Sequence, residues 1–330
     1  MLLIDNQNIH DPKINLALEE YVVRNFSPDQ DYVLFYINKP SLIIGKHQNT
    51  IEEINQDFVH EHDIIVVRRI SGGGTVYHDL GNLNFSFLTK FDPSKVNNFE
   101  QFTRPIVQAL KALGVDAEVN GRNDITVDGR KISGNAQFST TKSMFSHGTL
   151  LFNSEMSKIS GALNVKADKI ESKGIKSVRS RVANIMEFLK EPITMDVFKQ
   201  TLLKHIFGDA SQVPTYRLSE EQWAEVYKLS EEKYQTWEWN YGRSPEFNIQ
   251  RVKRFDFGLI DARVHVKDGV LTAIRFYGDF LGFGDLHDIE TKLIGQQYRN
   301  DHLVKALLGV DLTHYFGAIA VQDFIDFICD

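Results

Sequence analysis

The sequence predicts an α+β protein in which a large domain with mainly antiparallel sheets, residues 1–245, precedes a small α+β domain, residues 246–330. Strand-like and helix-like segments alternate through both parts of the chain. Asp128-Gly129 and Asp268-Gly269 each lie between apolar stretches and are typical of the two-residue turns that join antiparallel strands. The polar segment Tyr241–Gln250, with the sequence YGRSPEFNIQ, indicates the boundary between the two domains.

The first helix is predicted to begin at Asp11-Pro12, because aspartate caps helix N-termini and proline suits the first helical turn. Ile14, Leu18 and Val22 follow at a spacing of four residues and predict one apolar face. Apolar runs then predict strands at Tyr32–Ile37, Leu42–Ile44, Ile64–Ile70 and Leu83–Leu88.

The elements that follow are predicted from the same kinds of pattern, namely apolar periodicity, capping residues and turns. A helix runs through Phe102 and Leu113 and ends at Gly114, which suits a C-cap. The remaining predicted elements are a strand at His147–Phe152, helices opened by Thr194 and by the capping box Ser219-x-x-Gln222, strands at Val252–Phe257, Ala262–Val266 and Val270–Tyr277, and helical structure from Leu286 onward.

The composition argues against several classes of protein. The net charge of −7 argues against a nucleic-acid binder, which usually carries a basic surface. Cys329 is the one cysteine, so neither an intrachain disulfide nor a cysteine-based metal site is possible. The N-terminus resembles no signal peptide, and no apolar run is long enough to span a membrane. We therefore expect a cytoplasmic protein.

The first candidate site is the segment RRISGGGTVYHDLGN, residues 68–82, which follows a predicted buried strand. Glycines allow a backbone to approach a ligand closely, and consecutive N–H groups can bind phosphate beside the charges of Arg68 and Arg69. The alternative is a glycine-rich turn whose arginines face water. The standard nucleotide motifs are absent from the sequence, so a bound nucleotide requires another architecture.

The second candidate is GRNDITVDGRKISGNAQ, residues 121–137. Strand alternation places Lys131 and Ser133 on the same face, and Asn123 and Asp124 form a polar pair suited to a metal ion or a ribose. Small residues near the lysine leave room for a ligand, namely Ser133, Gly134 and Ala136. The alternative is an ordinary solvated surface lysine.

Two histidine segments carry weaker indications. His147 opens the strand in FSHGTLLF, residues 145–152, where a lone histidine is more often structural than catalytic. The segment HEHD, residues 60–63, has the composition of a metal site, but a solvated turn between elements explains it.

Taken together, these segments are more specific than any of them alone. RRISGGGTVYHDLGN, GRNDITVDGRKISGNAQ and HGTLLFN are followed by KGIKSVRSRVANI, residues 173–185, and WEWNYG, residues 237–242. This series closely resembles the lipoate–protein ligases of the two-domain bacterial type, over the whole chain. The resemblance implies a catalytic domain with the fold of biotin and lipoate protein ligases, followed by a small accessory domain.

The resemblance also implies a reaction in two steps. Lipoate attacks the α-phosphate of ATP to give lipoyl-AMP and pyrophosphate, with Mg²⁺ offsetting the phosphate charge. The lipoyl group then passes to a lysine of a lipoyl domain, in the E2 subunits of 2-oxoacid dehydrogenases or in the glycine-cleavage H protein. The implied role is salvage of exogenous lipoate by a monomeric enzyme.

The resemblance assigns roles to individual residues. Arg69 matches the ATP-binding arginine, and Lys131 matches the lysine that contacts both lipoate and ATP and acts electrostatically rather than as a nucleophile. Asp124 is implied as a Mg²⁺ contact. The implied binding residues are Arg69, Gly72, Gly73, Gly74, Thr75, Val76, Tyr77, His78, Asn123, Asp124, Lys131, Ser133, Gly134, Ala136, His147, Gly148 and Thr149.

The segment 158–181 has a local charge of +5, from seven basic and two acidic residues. One interpretation is that it covers the adenylate and faces an acidic acceptor domain, because complementary charge speeds encounter. The alternative is a solvated loop.

Three other functions compete with ATP-dependent ligation. A carrier-to-carrier octanoyl or lipoyl transferase uses a catalytic cysteine, whereas Cys329 lies outside every motif. Biotin ligation is disfavoured because RRISGGG stands where those enzymes have a loop of the G-R-G-R-x-G-R type. A non-catalytic lipoate-binding protein is the third alternative, and the intact motifs argue against it.

Overall fold

The computed structural model describes residues 1–121, 123–163, 181–208, 213–241 and 247–329. Most of the basic segment predicted at 158–181 lies outside these residues, as do Arg122 of the GRND sequence and residues 242–246 of the predicted domain boundary. Within the described residues, no helix is both long enough and apolar enough to cross a membrane.

The helices and strands alternate along the chain as the sequence predicts. The helices are α1 (Pro12–Asn25), α2 (Thr50–Glu53), α3 (Gln56–Glu61), α4 (Phe99–Ala112), α5 (Met156–Ala162), α6 (Met195–Phe207), α7 (Glu220–Leu229), α8 (Trp237–Asn240), α9 (Leu286–Leu293), α10 (Asn300–Ala306) and α11 (Val321–Cys329). Short 3₁₀ segments lie at Pro93–Lys95, Ile185–Phe188 and Leu312–His314, and a π-helical turn lies at Ser230–Tyr234.

The strands are β1 (Leu2–Ile4), β2 (Tyr32–Tyr36), β3 (Ser41–Ile44), β4 (Ile65–Arg68), β5 (Val76–His78), β6 (Asn82–Lys90), β7 (Glu118–Asn120), β8 (Asp124–Val127), β9 (Arg130–Ser139), β10 (Ser143–Leu151), β11 (Thr215–Tyr216), β12 (Ile249–Phe255), β13 (Gly258–Lys267) and β14 (Val270–Gly278). They form an eight-stranded sheet in the order β11-β1-β2-β6-β10-β9-β8-β7 and two three-stranded sheets, β4-β3-β5 and β12-β13-β14. β1 pairs in parallel with β2 and β11, whereas β3–β5, β12–β13, β13–β14 and the remaining pairs of the eight-stranded sheet are antiparallel.

The chain forms two compact units. The large unit comprises Met1–Ile43, Ile51–Arg68 and Val76–Asn240, and the small unit comprises Ile44–Thr50, Arg69–Thr75 and Tyr241–Asp330. The glycine segment that follows β4 therefore belongs to the compact unit that also contains the C-terminal part of the chain.

The two faces of the eight-stranded sheet differ in chemistry. On one face, Leu83, Phe85 and Phe87 of β6 join a core that also contains apolar residues of α4 and α6. On the other face, four of the five alternate residues of β6 are polar and Leu88 is the exception. Asn84 pairs there with Thr149, and Ser86 pairs with His147 across β10. We call this second side the polar face.

The small unit packs its sheet in the same one-sided way. Alternate residues of β13 and β14, among them Ile260, Val264 and Ile274, form a core with apolar residues of α9, α10 and α11. The other face of the sheet carries the buried ion pair between Asp261 and Arg263, with 2.9 Å between Oδ2 and Nη2.

Most predicted local features are confirmed. The side chains of Asp11, Thr194 and Ser219 accept hydrogen bonds from the first turns of α1, α6 and α7, and Ser219 forms its capping box with Gln222. Both residues of each predicted hairpin turn have positive φ, at Asp128-Gly129 and at Asp268-Gly269.

The short elements were missed. β1 and β11 contain three and two residues, and α2 contains four, so none is long enough to show a periodic pattern. The strand predicted at Ile64–Ile70 ends at Arg68, because the chain enters the glycine segment there.

Packing on the apolar face explains Gly148 of β10. A Cβ at this position would lie 2.1 Å from Asn135 Oδ1 and 2.6 Å from the Phe85 ring. We expect Gly148→Ala to lower the free energy of unfolding by about 1–3 kcal/mol, the usual cost of overpacking, as measured by urea denaturation.

Gly74→Ala is the matched control for Gly148→Ala. No heavy atom of the described residues lies within 4 Å of its added Cβ, chain neighbours aside. The control should change the free energy of unfolding by less than about 1 kcal/mol. Equal stability of the two variants would contradict the packing role of Gly148.

Candidate active site

Arg69 organises the glycine segment from within. Its backbone N–H donates to Ile44 O, and its guanidinium donates to Ser71 Oγ at 3.0 Å, Gly72 O at 2.6 Å and Gly74 O at 2.8 Å. Only 5% of the residue is exposed. The alternative in which this arginine faces water is therefore wrong, because the guanidinium binds the carbonyl groups of its own loop.

The three glycines of the loop have different reasons to be glycine. At Gly72 an added Cβ would lie 2.5 Å from Phe280 O, and Gly73 has a φ of +89°, which glycine tolerates best. Gly74 has neither constraint, since its φ lies outside the left-handed region and a Cβ there meets open space among the described residues. The fold therefore explains Gly72 and Gly73, whereas no contact among the described residues requires glycine at position 74.

Arg68 is bound by the WEWN segment, residues 237–240. Asn240 Oδ1 accepts from Arg68 N at 2.9 Å, and Trp239 Nε1 donates to Arg68 O at 2.8 Å. The Arg68 guanidinium donates to the carbonyl oxygens of Trp239 and Asn240. The backbone and the side chain of Arg68 are thus both fixed at the end of β4, and this arginine also does not face water.

A buried charge cluster supports the WEWN segment. Lys233 Nζ and Tyr234 Oη donate to Glu20 of α1 at 2.7 and 2.6 Å, and Lys233 Nζ lies 4.1 Å from the centre of the Trp239 ring. Burial acts to raise the pKa of Glu20, but the charge and hydrogen bond of Lys233 outweigh it and leave this pKa lowered. Burial also lowers the pKa of Lys233 and raises that of Tyr234.

The segment after the glycine loop forms β5. Val76, Tyr77 and His78 pair with Ile43, Leu42 and Ser41. Burial, followed by the negative charges of Asp79 and Glu155, raises the pKa of Tyr77 to about 12, so its phenol stays protonated at neutral pH. His78 is 3% exposed, and its Nδ1 lies 3.0 Å from Asn38 Nδ2.

A β-bulge determines where Lys131 lies. Thr126 of β8 pairs with Lys131, but the preceding Ile125 pairs with Ser133, so Ile132 is an extra residue in β9. Lys131 therefore shares the polar face with Thr126, whereas Ser133 lies on the apolar face with Ile125. The prediction that alternation places Ser133 and Lys131 on one face was wrong, because the bulge shifts the alternation by one residue.

The bulge brings Lys131 beside Asp124 and Gly134. Lys131 Nζ lies 2.8 Å from Asp124 Oδ1, and each of the two side chains is about one-third exposed. A Cβ on Gly134 would lie 2.8 Å from Lys131 Nζ, so the ammonium occupies the space that this glycine leaves. Thr149 completes the group, since its Oγ1 accepts from Gly134 N at 3.2 Å.

The other predicted residues of this part of the sheet divide between its two faces. Asn123 donates to Asn135 O and accepts from Asn135 N through its own carbonyl, which joins the start of β8 to β9. Ala136 pairs with His147 on the polar face, and Gly148 lies on the apolar face. The structure thus brings Lys131, Asp124, Gly134 and Thr149 together and separates them from Ser133 and Gly148.

His147 is paired with a residue that the sequence analysis missed. Its Nδ1 lies 3.0 Å from each carboxylate oxygen of Glu19, which is buried in α1. The sequence held an indication of this, because Asn15 and Glu19 are polar residues one turn apart in a helix that is otherwise largely apolar. Such residues need buried polar partners.

The carboxylates fit a divalent metal in one place. Mg²⁺ in nucleotide sites is usually held by one or two carboxylates together with phosphate oxygens. Asp124, partly exposed beside Lys131, fits that arrangement as a single protein ligand. Within the described residues, no group of three or more His, Cys, Asp or Glu side chains could hold a metal ion. In the HEHD segment, His62 stacks on Phe58 with 4.0 Å between the ring centres.

Comparison with known proteins identifies close relatives of the chain. The model of the lipoyl protein ligase A/B catalytic domain matches residues 11–207, and that of the bacterial lipoate protein ligase C-terminus matches residues 244–328. The lipoate-protein ligase LplJ of Bacillus subtilis is 58% identical over 330 residues, which cover 99% of this chain and 100% of the relative. Lipoate–protein ligase 1 of Staphylococcus aureus is 52% identical over 325 residues, which cover 98% and 99%.

Solved structures confirm the predicted fold class. P. falciparum LipL1 in complex with lipoate superposes with a TM-score of 0.79 at 24% identity, covering 100% of this chain and 98% of that one. The bi-partite lipoate protein ligase of Thermoplasma acidophilum, studied with its E2 lipoyl domain, gives 0.65 at 29% identity and covers 75% and 98%. A lipoate-protein ligase A bound with ATP gives 0.61 at 28% identity and covers 73% and 97%.

The contacts of Arg68 predict a stability difference between two tryptophans. Trp239→Phe removes the hydrogen bond to Arg68 O and weakens the contact between the ring and the Lys233 ammonium. We expect a loss of about 1–2 kcal/mol in the free energy of unfolding, measured by urea denaturation.

Trp223→Phe is the matched control for Trp239→Phe. Trp223 is buried whereas Trp239 is half-buried, and Trp223 Nε1 has no hydrogen-bond partner among the described residues. Its replacement should therefore cost less. Equal losses in the two variants would mean that the Arg68 contacts add nothing beyond the burial of an indole ring.

Proposed function

Because the chain belongs to the lipoyl protein ligase family, we propose that it is an ATP-dependent lipoate–protein ligase. In the proposed first step, a carboxylate oxygen of lipoate attacks the α-phosphorus of ATP, and the bond from that phosphorus to pyrophosphate breaks. In the second step, a lysine amine of the acceptor attacks the acyl carbonyl and AMP leaves. The ammonium of Lys131, held at the polar face of the large sheet by the bulge in β9, is the observation that carries the proposal.

The first step has an electrostatic problem that Lys131 solves. A carboxylate and a triphosphate are both anionic, so they repel each other unless the site supplies positive charge. The ammonium of Lys131 is paired with Asp124 and occupies the space that Gly134 leaves by lacking a Cβ. We assign it to holding the carboxylate at the α-phosphate and to stabilising the charge of the transition state.

The nucleotide is assigned to the residues that the family resemblance indicates. We propose that Arg69 and the loop Gly72–Thr75 contact ATP. Val76, Tyr77 and His78 of β5 line the same nucleotide and acyl site, with the apolar Val76 beside the aliphatic tail of lipoate. The open space at the Gly74 Cβ position supports this, because no described residue requires glycine there. Asn123 and Asp124 complete the assignment, and Asp124 would hold Mg²⁺, which offsets phosphate charge when bound.

The acyl chain is assigned to the polar face of the large sheet. Gly134, Ala136 and Thr149 lie there beside Lys131, and His147 lies farther along β10. Small side chains along β9 leave the space that an extended aliphatic tail needs. Ser133 and Gly148, both placed on the opposite face, are assigned a supporting role behind this surface.

We propose lipoyl domains as acceptors, namely those of 2-oxoacid dehydrogenase E2 subunits and the glycine-cleavage H protein, and salvage of exogenous lipoate as the role. We also propose residues 1–245 as the catalytic domain, residues 246–330 as the accessory domain, a monomeric state and a cytoplasmic location. The two family models, which cover residues 11–207 and 244–328, support the proposed division. The fact that Cys329 is the one cysteine supports ATP-dependent activation over transfer through a thioester.

Pyrophosphate release from the purified protein with ATP and Mg²⁺, with and without lipoate, tests the proposal. Lys131→Ala should lower lipoate-dependent release by on the order of 10²-fold, the scale for a lost transition-state charge contact. Lys142→Ala, at an exposed lysine beyond the end of β9, is the matched control and should retain wild-type activity. Release that does not depend on lipoate in the wild type would refute ligation, and an active Lys131→Ala would refute its role.

Gly134→Ala tests the position of the ammonium rather than its presence. The added Cβ would clash with the flexible end of Lys131 and would lie at an ordinary contact distance of 3.9 Å from Asp124 Oδ1, so the fold is retained while Nζ moves away from Asp124. We expect lipoate-dependent pyrophosphate release to fall by roughly 10- to 10²-fold, because small displacements of a positioned group are costly.

The melting temperature of Gly134→Ala should stay close to that of the wild type. Ser139→Ala, at the end of the same strand, is the control and should leave pyrophosphate release unchanged. Full activity in Gly134→Ala would show that the position of Lys131 does not limit the reaction.

A further inference from the structure

A chain of buried amide side chains leads from the N-terminal segment to His78. Asn6 Nδ2 donates to Asn15 Oδ1 at 3.3 Å, Asn15 Nδ2 donates to Asn38 Oδ1 at 2.9 Å, and Asn38 Nδ2 lies 3.0 Å from His78 Nδ1. Asn15 and Asn38 are fully buried. Neither asparagine belongs to the motifs that indicated the function, yet both lie behind a histidine assigned to the substrate.

The direction of each hydrogen bond in this chain is fixed by one backbone carbonyl. Ile9 O can only accept, and it receives Asn15 Nδ2 at 2.8 Å and Asn6 Nδ2 at 3.1 Å. The Asn15 atom that faces Asn38 is therefore a donor, and the Asn38 atom that faces it is the carbonyl oxygen. The remaining Asn38 group, directed at His78, is the NH₂ donor.

A donor opposite Nδ1 determines the protonation of the imidazole. In neutral histidine one ring nitrogen carries a proton and the other accepts, whereas both donate in the cation. Since Asn38 donates to Nδ1, that nitrogen must present its lone pair and the proton must be on Nε2. Protonation of Nδ1 would direct its N–H at the NH₂ group of Asn38, and neither buried donor would have an acceptor there.

We propose that Asn15 and Asn38 are positioning residues that hold His78 as the neutral Nε2–H tautomer, so that it donates a hydrogen bond to an oxygen of the acyl-adenylate. This inference rests on the proposed ligase function. A neutral donor can bind a phosphate or carbonyl oxygen without the proton loss or gain that a titrating imidazole undergoes near pH 7. The amide chain thereby keeps one role for His78 in both half-reactions.

His147 provides an internal contrast. Its Nδ1 faces the carboxylate of Glu19, which accepts hydrogen bonds when ionised, so this Nδ1 carries a proton. One protein thus holds two buried histidines whose Nδ1 atoms have opposite roles, acceptor in His78 and donor in His147. Amide and carboxylate partners explain the difference, because an amide can present its NH₂ group and a carboxylate cannot.

The tautomer can be observed directly. In ¹⁵N-labelled protein, long-range ¹H–¹⁵N spectra distinguish a protonated ring nitrogen from one with a lone pair, and loss of a resonance in His78→Gln identifies His78. We expect Nδ1 unprotonated and Nε2 protonated in the wild type, and a shift of the Nε2–H signal when a non-hydrolysable lipoyl-adenylate analogue is added. A protonated Nδ1 in the wild type would overturn the proposal.

Asn38→Asp exchanges the donor for an acceptor with almost no change of shape. The proton should then move to His78 Nδ1, and lipoate-dependent pyrophosphate release should fall by on the order of 10²-fold, the scale for a lost transition-state donor. Asn6→Asp is the matched control, since it introduces the same carboxylate two amides away. Asn6→Asp should leave the tautomer of His78 unchanged. When the two variants lose equally in melting temperature, Asn6→Asp should retain far more lipoate-dependent pyrophosphate release than Asn38→Asp.

The outcomes separate this inference from the proposed function. A wild type without lipoate-dependent release fails as a ligase, whatever the tautomer. If the wild type is active and Asn38→Asp releases pyrophosphate at an unchanged rate, the inference about His78 is overturned and the proposed ligase function stands. If Asn38→Asp does not fold, His78→Gln and His78→Phe decide, because a glutamine amide can donate in place of Nε2–H and a phenyl ring cannot. Equal activity of these two variants would overturn the donor role.

Discussion

The large sheet must bury apolar side chains against α4 and α6 on one face while it carries polar side chains on the other. Strict alternation of side chains in β9 would place Lys131 on the opposite face of the sheet from Gly134 and Ala136. The extra residue, Ile132, resolves this, because it enters the core itself and lets the lysine before it and the glycine after it share the polar face. A bulge is thus the backbone feature on which the candidate site depends.

Polar groups inside a protein are tolerated only when they are paired, and the pairs described above also set geometry. Asp124 limits where the Lys131 ammonium can lie, Glu19 orients His147, and Asn38 orients His78. The guanidinium of Arg69 donates hydrogen bonds to the carbonyl oxygens of Gly72 and Gly74. Arg69 therefore determines the shape of the glycine loop through these hydrogen bonds.

The features that were predictable from the sequence are those encoded within a few residues. The caps at Asp11, Thr194 and Ser219 and the turn at Asp128-Gly129 depend on local chemistry, and the structure contains all of them. Which residue a bulge displaces depends on how two strands pair, so the face of Ser133 was predicted wrongly. Asn15 and Glu19 indicated that α1 needs buried polar partners, but no local pattern identifies His147, 128 positions away, as the partner of Glu19.

The same distinction applies to the arginines of the glycine segment. Their charge and position suggested either phosphate contacts or exposure to water. Both arginines are buried and hydrogen-bonded to backbone carbonyls, which contradicts exposure to water and leaves the phosphate contact of Arg69 a proposal. Such contacts could not be anticipated, because the partners of Arg68 come from Trp239 and Asn240, some 170 residues later in the chain. The family resemblance supplied the function, and the structure supplied the reasons for individual residues.

The open space at Gly74 has a consequence for engineering the protein. Most glycines of the site cannot be enlarged without disturbing a neighbour, as Gly134, Gly72 and Gly148 illustrate. Position 74 accepts a side chain as far as the described protein atoms are concerned, so a substitution there is felt first by whatever binds. Under the proposed assignment of this loop to ATP, a larger side chain at position 74 would exclude ATP and admit an analogue from which the clashing group has been removed, so that one ligase in a cell could be given a substrate that the others do not use.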